Sequence, residues 1–350
     1  MPPRRSGAVD RRTLLGGAAG IGLAGLLAAC GSSGEASDGS SSASSGGAFP
    51  ATITHKYGST RVTQAPQRVV VVGVIEQDAL LALGVVPVAT TKWFGEPGEI
   101  FPWAKDALGD ADLPTVLDAD DGIDVEKVAS LSPDLIIGVY SGMTQKEYKL
   151  LSALAPTVAQ PQDYVDYGTP WDVCLTMVGE AVGKPDEADA LLTKTKSRIS
   201  DAAADNPDFA GQSAVVVTPY EGLWVYGPED LRGRLLADLG FSFPDSVSNP
   251  DADEFGWSLS EEQASKLADV GVVVWFDGDK MSKGMSAVWR QTDTYTEGRW
   301  FDLRSSDGYL YQAMSFLTPL SIPYVLKRYL PKLAAAADGD PATKVPSTTS

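Results

Sequence analysis

Short, unbroken apolar runs recur along the chain, each followed by a stretch of helical spacing. Arg68-Val-Val-Val-Val-Gly73 and Asp134-Leu-Ile-Ile-Gly138-Val-Tyr140 show no polar alternation, the pattern of parallel strands buried on both faces. Residues 85–89 and 157–159 are two shorter strand candidates, and residues 78–83 and 125–131 carry helical spacing between them. Gly84 closes the first of these helices, as a residue free to adopt the left-handed conformation does. Ahead of them, residues 51–62 alternate apolar and polar side chains around Gly58, which predicts a small hairpin. The rhythm returns in the second half. Residues 214–217, the neighbourhood of Phe241 and residues 270–276 are strand-like, while 231–239 and 261–267 are helix-like.

The two halves match in detail. Leu80-Leu81-Ala82-Leu83-Gly84 is echoed by Leu235-Leu236-Ala237-Asp238-Leu239-Gly240. Glu126 and Glu262 each stand five residues before a leucine, Leu131 or Leu267, that leads into a strand, so one design is used twice. Between the halves, Leu175, Val178, Val182, Ala188, Leu191, Leu192 and Ile199 recur near helical spacing. Gly183-Lys184-Pro185 marks a bend there, or a junction of two helices. The predicted fold is α/β: two Rossmann-like lobes with mainly parallel sheets, residues 51–170 and 205–333. A long connecting helix over residues 171–204 joins them, and a ligand cleft lies between them. Residues 334–350, rich in Ala, Thr and Ser, are predicted to be a disordered tail.

Residues 1–29 read as an address. Arg4-Arg5 and Arg11-Arg12 precede a glycine-rich apolar stretch over residues 14–29, too short and too weak to span a bilayer. Arg11-Arg12-Thr13-Leu14-Leu15 resembles a twin-arginine export signal, with the general secretory route as the alternative. Leu27-Ala28-Ala29-Cys30 resembles a bacterial lipobox, which makes Cys30 the lipidation site. Residues 30–50, almost all Gly, Ser, Ala and acid at their core, form a flexible tether. The folded body is therefore expected outside the cytoplasm, lipid-anchored to the cell membrane.

Composition narrows the chemistry. A net charge of −18 argues against nucleic acid, whose phosphates require clustered Lys and Arg. Cleavage of the signal removes four arginines and one aspartate, a net +3, and leaves a body of −21. One histidine excludes metal sites built on several imidazoles, and His55 lies on the predicted hairpin. Two cysteines give no disulfide framework, and Cys174 reads as a small buried hydrophobe. No Gly-x-Gly-x-x-Gly or phosphate-binding loop follows any strand, and Ser141 in Gly138-Val-Tyr-Ser141-Gly142 is one place late for a nucleophile elbow. The acidic stretch 118–124 misses calcium-loop spacing and reads as a solvated loop. Without a nucleophile–base pair or a metal cluster, the chain is not expected to be an enzyme.

Lipobox, paired α/β halves and helical connector together resemble the substrate-binding lipoproteins of ABC importers, closest to the iron-siderophore branch, which includes haem and cobalamin binders. The likeness rests on Thr54-His55-Lys-Tyr-Gly58-Ser-Thr60, Pro66-Gln67-Arg68-Val-Val and Leu83-Gly84-Val85-Val86-Pro87-Val88. It continues with Ile123-Asp-Val-Glu126-Lys-Val-Ala-Ser-Leu131-Ser-Pro133-Asp134-Leu-Ile and Trp257-Ser-Leu-Ser260-Glu261-Glu262, in order along residues 51–333. The resemblance implies capture of a ferric siderophore by a monomer and its delivery to an ABC permease, with no resident cofactor and iron present only inside the chelate. It implies that Glu126 and Glu262, with Glu261 as the rival in the second half, dock onto arginines of the permease. Exposed pairs of that kind orient an encounter more than they tighten it.

The ligand is expected among loops beyond the strands' carboxyl ends, where aromatics collect. Lys92, Trp93, Tyr140, Tyr164, Trp224, Tyr226 and Trp275 are the candidate contacts. Trp275 and Phe276 are adjacent on one strand, so only one of them can face the cleft. Lys92, Arg232, Lys280, Lys283 and Arg290 are the few nearby cations. That thin supply favours a hydroxamate-like or weakly charged chelate over a triply anionic triscatecholate. Haem or cobalamin is the alternative ligand. An extracytoplasmic lipoprotein enzyme or adaptor on a related fold is the alternative of another class.

Overall fold

The computed structural model describes residues 48–346 except 121, 253 and 305–307. The export signal, Cys30 and nearly all of the tether lie outside the described residues. No described helix is long and apolar enough to cross a membrane.

The predicted hairpin is present. β1 (Ala51–His55) pairs antiparallel with β2 (Gly58–Val62), His55 opposite Gly58. The first lobe continues with β3 (Val69–Val71), α1 (Glu76–Ala82), β4 (Ala89–Thr91), α2 (Lys105–Leu108) and β5 (Thr115–Leu117). It ends with α3 (Val125–Ser130), β6 (Leu135–Gly138), α4 (Gln145–Ser152) and β7 (Thr157–Ala159). All five sheet strands are parallel, in the order β5-β4-β3-β6-β7. The order reverses between β3 and β6, and there the loops beyond the strand ends diverge and leave a crevice. Both central strands are buried at every position, which is why their sequence does not alternate.

Two first-lobe expectations are corrected. The strand expected at 85–89 starts only at Ala89, because the Val85 amide is used to close α1, donating to the Leu80 carbonyl at 2.8 Å. The strand β5 has no counterpart in the sequence reading. It is three residues long with Thr115 and Val116 exposed at the sheet edge, so no periodic signal marks it.

The connector is two helices, α5 (Trp171–Ala181) and α6 (Pro185–Ala204), parted at the Gly183-Lys184-Pro185 junction. The second lobe then runs β8 (Ala214–Pro219), β9 (Leu223–Tyr226), α7 (Leu231–Asp238), β10 (Gly256–Leu259) and a 3-10 helix, Glu261–Asp269. After these come β11 (Val272–Trp275), α8 (Lys283–Trp289), α9 (Asp293–Thr296), β12 (Trp300–Asp302), α10 (Leu310–Phe316) and α11 (Ser321–Ala337). Its sheet, β10-β9-β8-β11-β12, repeats the first position by position. One strand differs. β9 is antiparallel to both neighbours, because the turn 220–222 that joins it to β8 is too short for a crossover helix. Around Phe241 there is a single bridge, Ser213 to Ser242, and no strand. The connector is shared: α5 packs on α1 and β1, α6 on α7 and α11.

The repeated Leu-Leu-Ala motif is a shared helix ending. Val85 donates to Leu80 at 2.8 Å and Phe241 to Leu236 at 3.0 Å, each amide following a glycine, Gly84 or Gly240, at positive φ. At the other end of the chain, the predicted tail starts too early. Residues 334–337 complete α11, whose Leu333 and Ala336 are buried and whose last carbonyl, that of Ala337, accepts from Gln212 Nε2 at 2.9 Å.

Helix α10 reaches across to the first lobe. Phe316, fully buried, stands among Trp93, Phe94, Phe101 and Trp103 with ring centroids 5.3, 6.3, 5.1 and 5.4 Å away.

Candidate functional site

The strands' carboxyl ends open on a cleft of about 440 Å³. From the first lobe it is lined by Val72 and Val74 beyond β3, Thr91, Lys92 and Trp93 beyond β4, and the turn Tyr140–Met143 beyond β6. From the second lobe come Arg232 and Phe255.

The floor is fixed by a buried acid. Glu76, at the start of α1, is fully buried and accepts from the Tyr140 amide at 2.7 Å and the Ile75 amide at 3.1 Å. It thereby ties the loop after β3 to the turn after β6. A side chain at Gly73 would stand where the Glu76 carboxylate lies, so the glycine admits the acid. Burial raises its carboxyl to about 7, against the amides, which favour the charged form. A second buried carboxylate, Glu99, accepts from the Phe94 and Gly95 amides at 3.1 and 2.6 Å and so holds the loop carrying Trp93.

Arg232 is the buried cation of the cleft. Its Nε and Nη2 each donate to Asp230 at 2.6 Å, and Asp230, the N-cap of α7, also accepts the Arg232 amide at 2.8 Å. The guanidinium lies over the Tyr226 ring at 3.8 Å and the Phe276 ring at 4.9 Å. Burial opposes its charge, but the Asp230 carboxylate more than offsets that and keeps it protonated. On the rim, Lys92 is 3.2 Å from Asp120 and 3.6 Å from Asp118. Beyond β11, buried Asp277 takes Lys280 at 2.7 Å and Arg304 at 3.0 Å.

A row of aromatic rings runs from one lobe to the other. Tyr220, exposed at the β8–β9 turn, leads to Trp224, Tyr226 and Phe276 at successive centroid distances of 6.2, 6.5 and 5.6 Å. Tyr311 of α10 then packs at a tilt on Phe276 at 4.1 Å and meets Phe94 at 5.9 Å, and Phe94 stacks on Trp93 at 4.9 Å.

Of the residues singled out in the sequence, Lys92, Trp93 and Tyr140 line this cleft. Trp224 and Tyr226 stand one layer behind, Trp224 against Phe255 at 5.7 Å and Tyr226 beneath Arg232. Tyr164 is not among the lining residues and faces Arg234 of α7 at 5.7 Å. Trp275 is a correction. It is fully buried on the other face of β11, against Trp289 at 5.4 Å, and Phe276 takes the cleft-side place. Lys283 and Arg290 do not line the cleft, and Arg290 is engaged by Ser286 and Tyr295. The sequence reading missed Asp230, Glu76 and Phe255. A buried acid beside a strand end carries no periodic signal, although Asp230 in N-cap position before α7 could have been read from its spacing.

Glu126 and Glu262 are both exposed, in the first turn of α3 and of the 3-10 helix. The Glu262 carboxyl is held below its ordinary range by its own amide and by Ser260. Glu261 is occupied by the Ser282 hydroxyl at 2.6 Å. The three residues set aside earlier have local roles. His55 is buried, its Nε2 3.0 Å from Thr60 Oγ1. Cys174 lies in the core, and Ser141 donates to the Gly138 carbonyl at 2.8 Å. No group of three potential metal ligands occurs among the described residues.

The family model for periplasmic binding proteins matches residues 74–305, well over half of the chain. The chain belongs to the periplasmic binding protein family. It is a binding protein, not an enzyme. The probable siderophore-binding lipoprotein YfiY of Bacillus subtilis is 30% identical over 261 residues, 72% of this chain and 75% of that protein. The iron(3+)-hydroxamate-binding protein FhuD of the same organism is 28% identical over 291 residues, 79% of this chain and 85% of that protein. Among solved structures, PiaA of Streptococcus pneumoniae in complex with ferrichrome superposes with a TM-score of 0.70 at 25% identity, covering 83% of this chain and 99% of that one. Family membership thus accounts for the paired lobes and for a cleft at the switch point of the sheets.

Proposed function

We propose that the protein is an extracytoplasmic, lipid-anchored solute-binding protein that captures a ferric siderophore, hydroxamate-like or otherwise weakly charged, and delivers it to an ABC importer. The observation that carries the ligand class is the pairing of the cleft's cations. Of the two cations that line it, Arg232 is neutralised by Asp230 and Lys92 by Asp118 and Asp120. A trianionic chelate would enter a body of −21 and meet no lining cation in surplus, whereas a neutral chelate incurs no such repulsion. The aromatic row suits the apolar flanks of an organic wrapping. The names of FhuD and of the ferrichrome complex point the same way.

Iron is cargo here, held by the chelate and not by the protein. Haem would call for an axial ligand from the cleft, where Tyr140, Tyr167 and Met143 are the candidates, and burial drives the Tyr140 phenol far up, away from the phenolate form. Delivery is assigned to Glu126 and Glu262, two exposed carboxylates at matching places on the two lobes. Titrating the purified protein's tryptophan fluorescence with ferrichrome, a ferric triscatecholate, haemin and cobalamin tests the reading. Saturable quenching by ferrichrome at the lowest concentration is expected. Preference for any of the other three would overturn the ligand assignment, and quenching by none would favour an adaptor.

A further inference from the structure

We propose that Asp230 sets the charge selectivity of the cleft: its carboxylate cancels the buried cation Arg232 and so keeps anionic chelates from being preferred. This rests on the reading of the cleft as a siderophore site. Three features single Asp230 out. It is fully buried and bonds Arg232 through both oxygens, so the cancellation is local and poorly screened by solvent. Arg232 is also placed independently of the pair, by its position in the first turn of α7 and by the Tyr226 and Phe276 rings above which it lies. Its Nη1 makes no hydrogen bond among the described residues, and the side chain lines the cleft, so the guanidinium is within reach of a ligand.

Removing the charge of Asp230 therefore leaves a cation lining the cleft, still carried by α7 and by the Tyr226 and Phe276 rings. Asparagine serves as well as aspartate at an N-cap, so Asp230→Asn keeps the start of α7. Arg232→Gln does the reverse and leaves Asp230 as an uncancelled anion.

The test compares the Kd of ferrichrome, which is neutral, with that of a ferric triscatecholate, which carries three negative charges. The purified unaltered protein, D230N, R232Q and D230N/R232Q are titrated at low and at high salt, with thermal unfolding as a check on folding. The ratio of the two Kd values should move toward the catecholate by about tenfold in D230N, as expected for one added charge beside a trianion. It should move the opposite way in R232Q, return near the original in the double variant, and depend only weakly on salt, as for a buried charge. An unchanged ratio in folded D230N, or a shift abolished by high salt, overturns the proposal. If D230N does not fold, the sign of the R232Q shift decides it: a shift toward the catecholate overturns it. Failure of the unaltered protein to bind either chelate overturns the siderophore reading and this inference with it.

Discussion

Asp78 accepts a hydrogen bond of 2.6 Å from the hydroxyl of Thr318, 240 residues further along the chain. Asp78 is on α1 of the first lobe, and Thr318 lies between α10 and α11. Trp103 Nε1 donates to the same carboxylate oxygen at 2.8 Å, and all of Asp78, Thr318 and Ser321 are buried. With Phe316 seated among first-lobe rings, this contact ties the lobes a second time, apart from the α5–α6 connector.

The tie should be measurable as stability. Phe316→Ala is expected to cost about 3–5 kcal/mol, the usual range for emptying a large buried aromatic site. Thr318→Val removes a donor from a buried carboxylate and is expected to cost about 1–3 kcal/mol. Urea denaturation of the two variants checks both figures, and a near-neutral Phe316→Ala would mean that the lobes do not depend on this contact.

Stability should fall as pH rises through neutrality. Burial lifts the Glu76 carboxyl from 4.5 to about 7 and that of Asp78 from 3.8 to about 6. Between the unfolded and folded values the native state holds protons that the unfolded chain has released. The contribution is therefore full below the unfolded values and is lost as pH rises through the folded ones. A shift of two units or so corresponds to roughly 3 kcal/mol per group at most. Denaturation midpoints from pH 4.5 to 8 should show this loss, and Glu76→Gln should flatten the Glu76 part of the slope. An identical slope in that variant would assign the loss elsewhere.

Docking and binding should separate. Reversing Glu126 and Glu262 together to lysine is expected to reduce uptake by about tenfold or more while leaving the Kd for the chelate unchanged, since neither residue lines the cleft. Glu261→Gln should spare uptake, because that carboxylate is already bound by Ser282. Transport assays at native expression, alongside fluorescence titration, distinguish these outcomes. Full uptake by the double reversal would remove the docking role.

The two tryptophans named from sequence should behave oppositely. Trp93→Ala opens the cleft wall and is expected to weaken chelate binding by about tenfold, in line with the loss of a buried aromatic contact. Trp275→Ala empties a core site and is expected to cost about 3–5 kcal/mol of stability with little change in Kd. Paired unfolding and binding curves decide between them.

What could be read from the sequence follows from what leaves a periodic trace. β3 and β6 announce themselves because strands covered on both faces have no polar positions to interrupt them. The paired endings at Gly84 and Gly240 are legible because a left-handed residue followed by a returning amide constrains several neighbours at once. The reversal of β9 is not legible. Leu223 and Val225 are buried while Trp224 and Tyr226 are half-buried on the opposite face, and such alternation fits a loop rich in aromatics as well as a strand. At the site, charge type was visible and pairing was not. Arg232 could be named as a cation near the cleft, but its cancellation by Asp230, two residues away, depends on how the first turn of α7 closes. The place of Trp275 is hidden for a related reason: adjacency shows that Trp275 and Phe276 cannot both face the cleft, and only the packing of α10 on Phe276 decides between them.

The second tie between the lobes also bears on time. A cleft already in shape when the ligand arrives has no shutting movement to wait for. Capture then runs at the pace of encounter, and how long a cargo is kept depends on the rate at which it leaves.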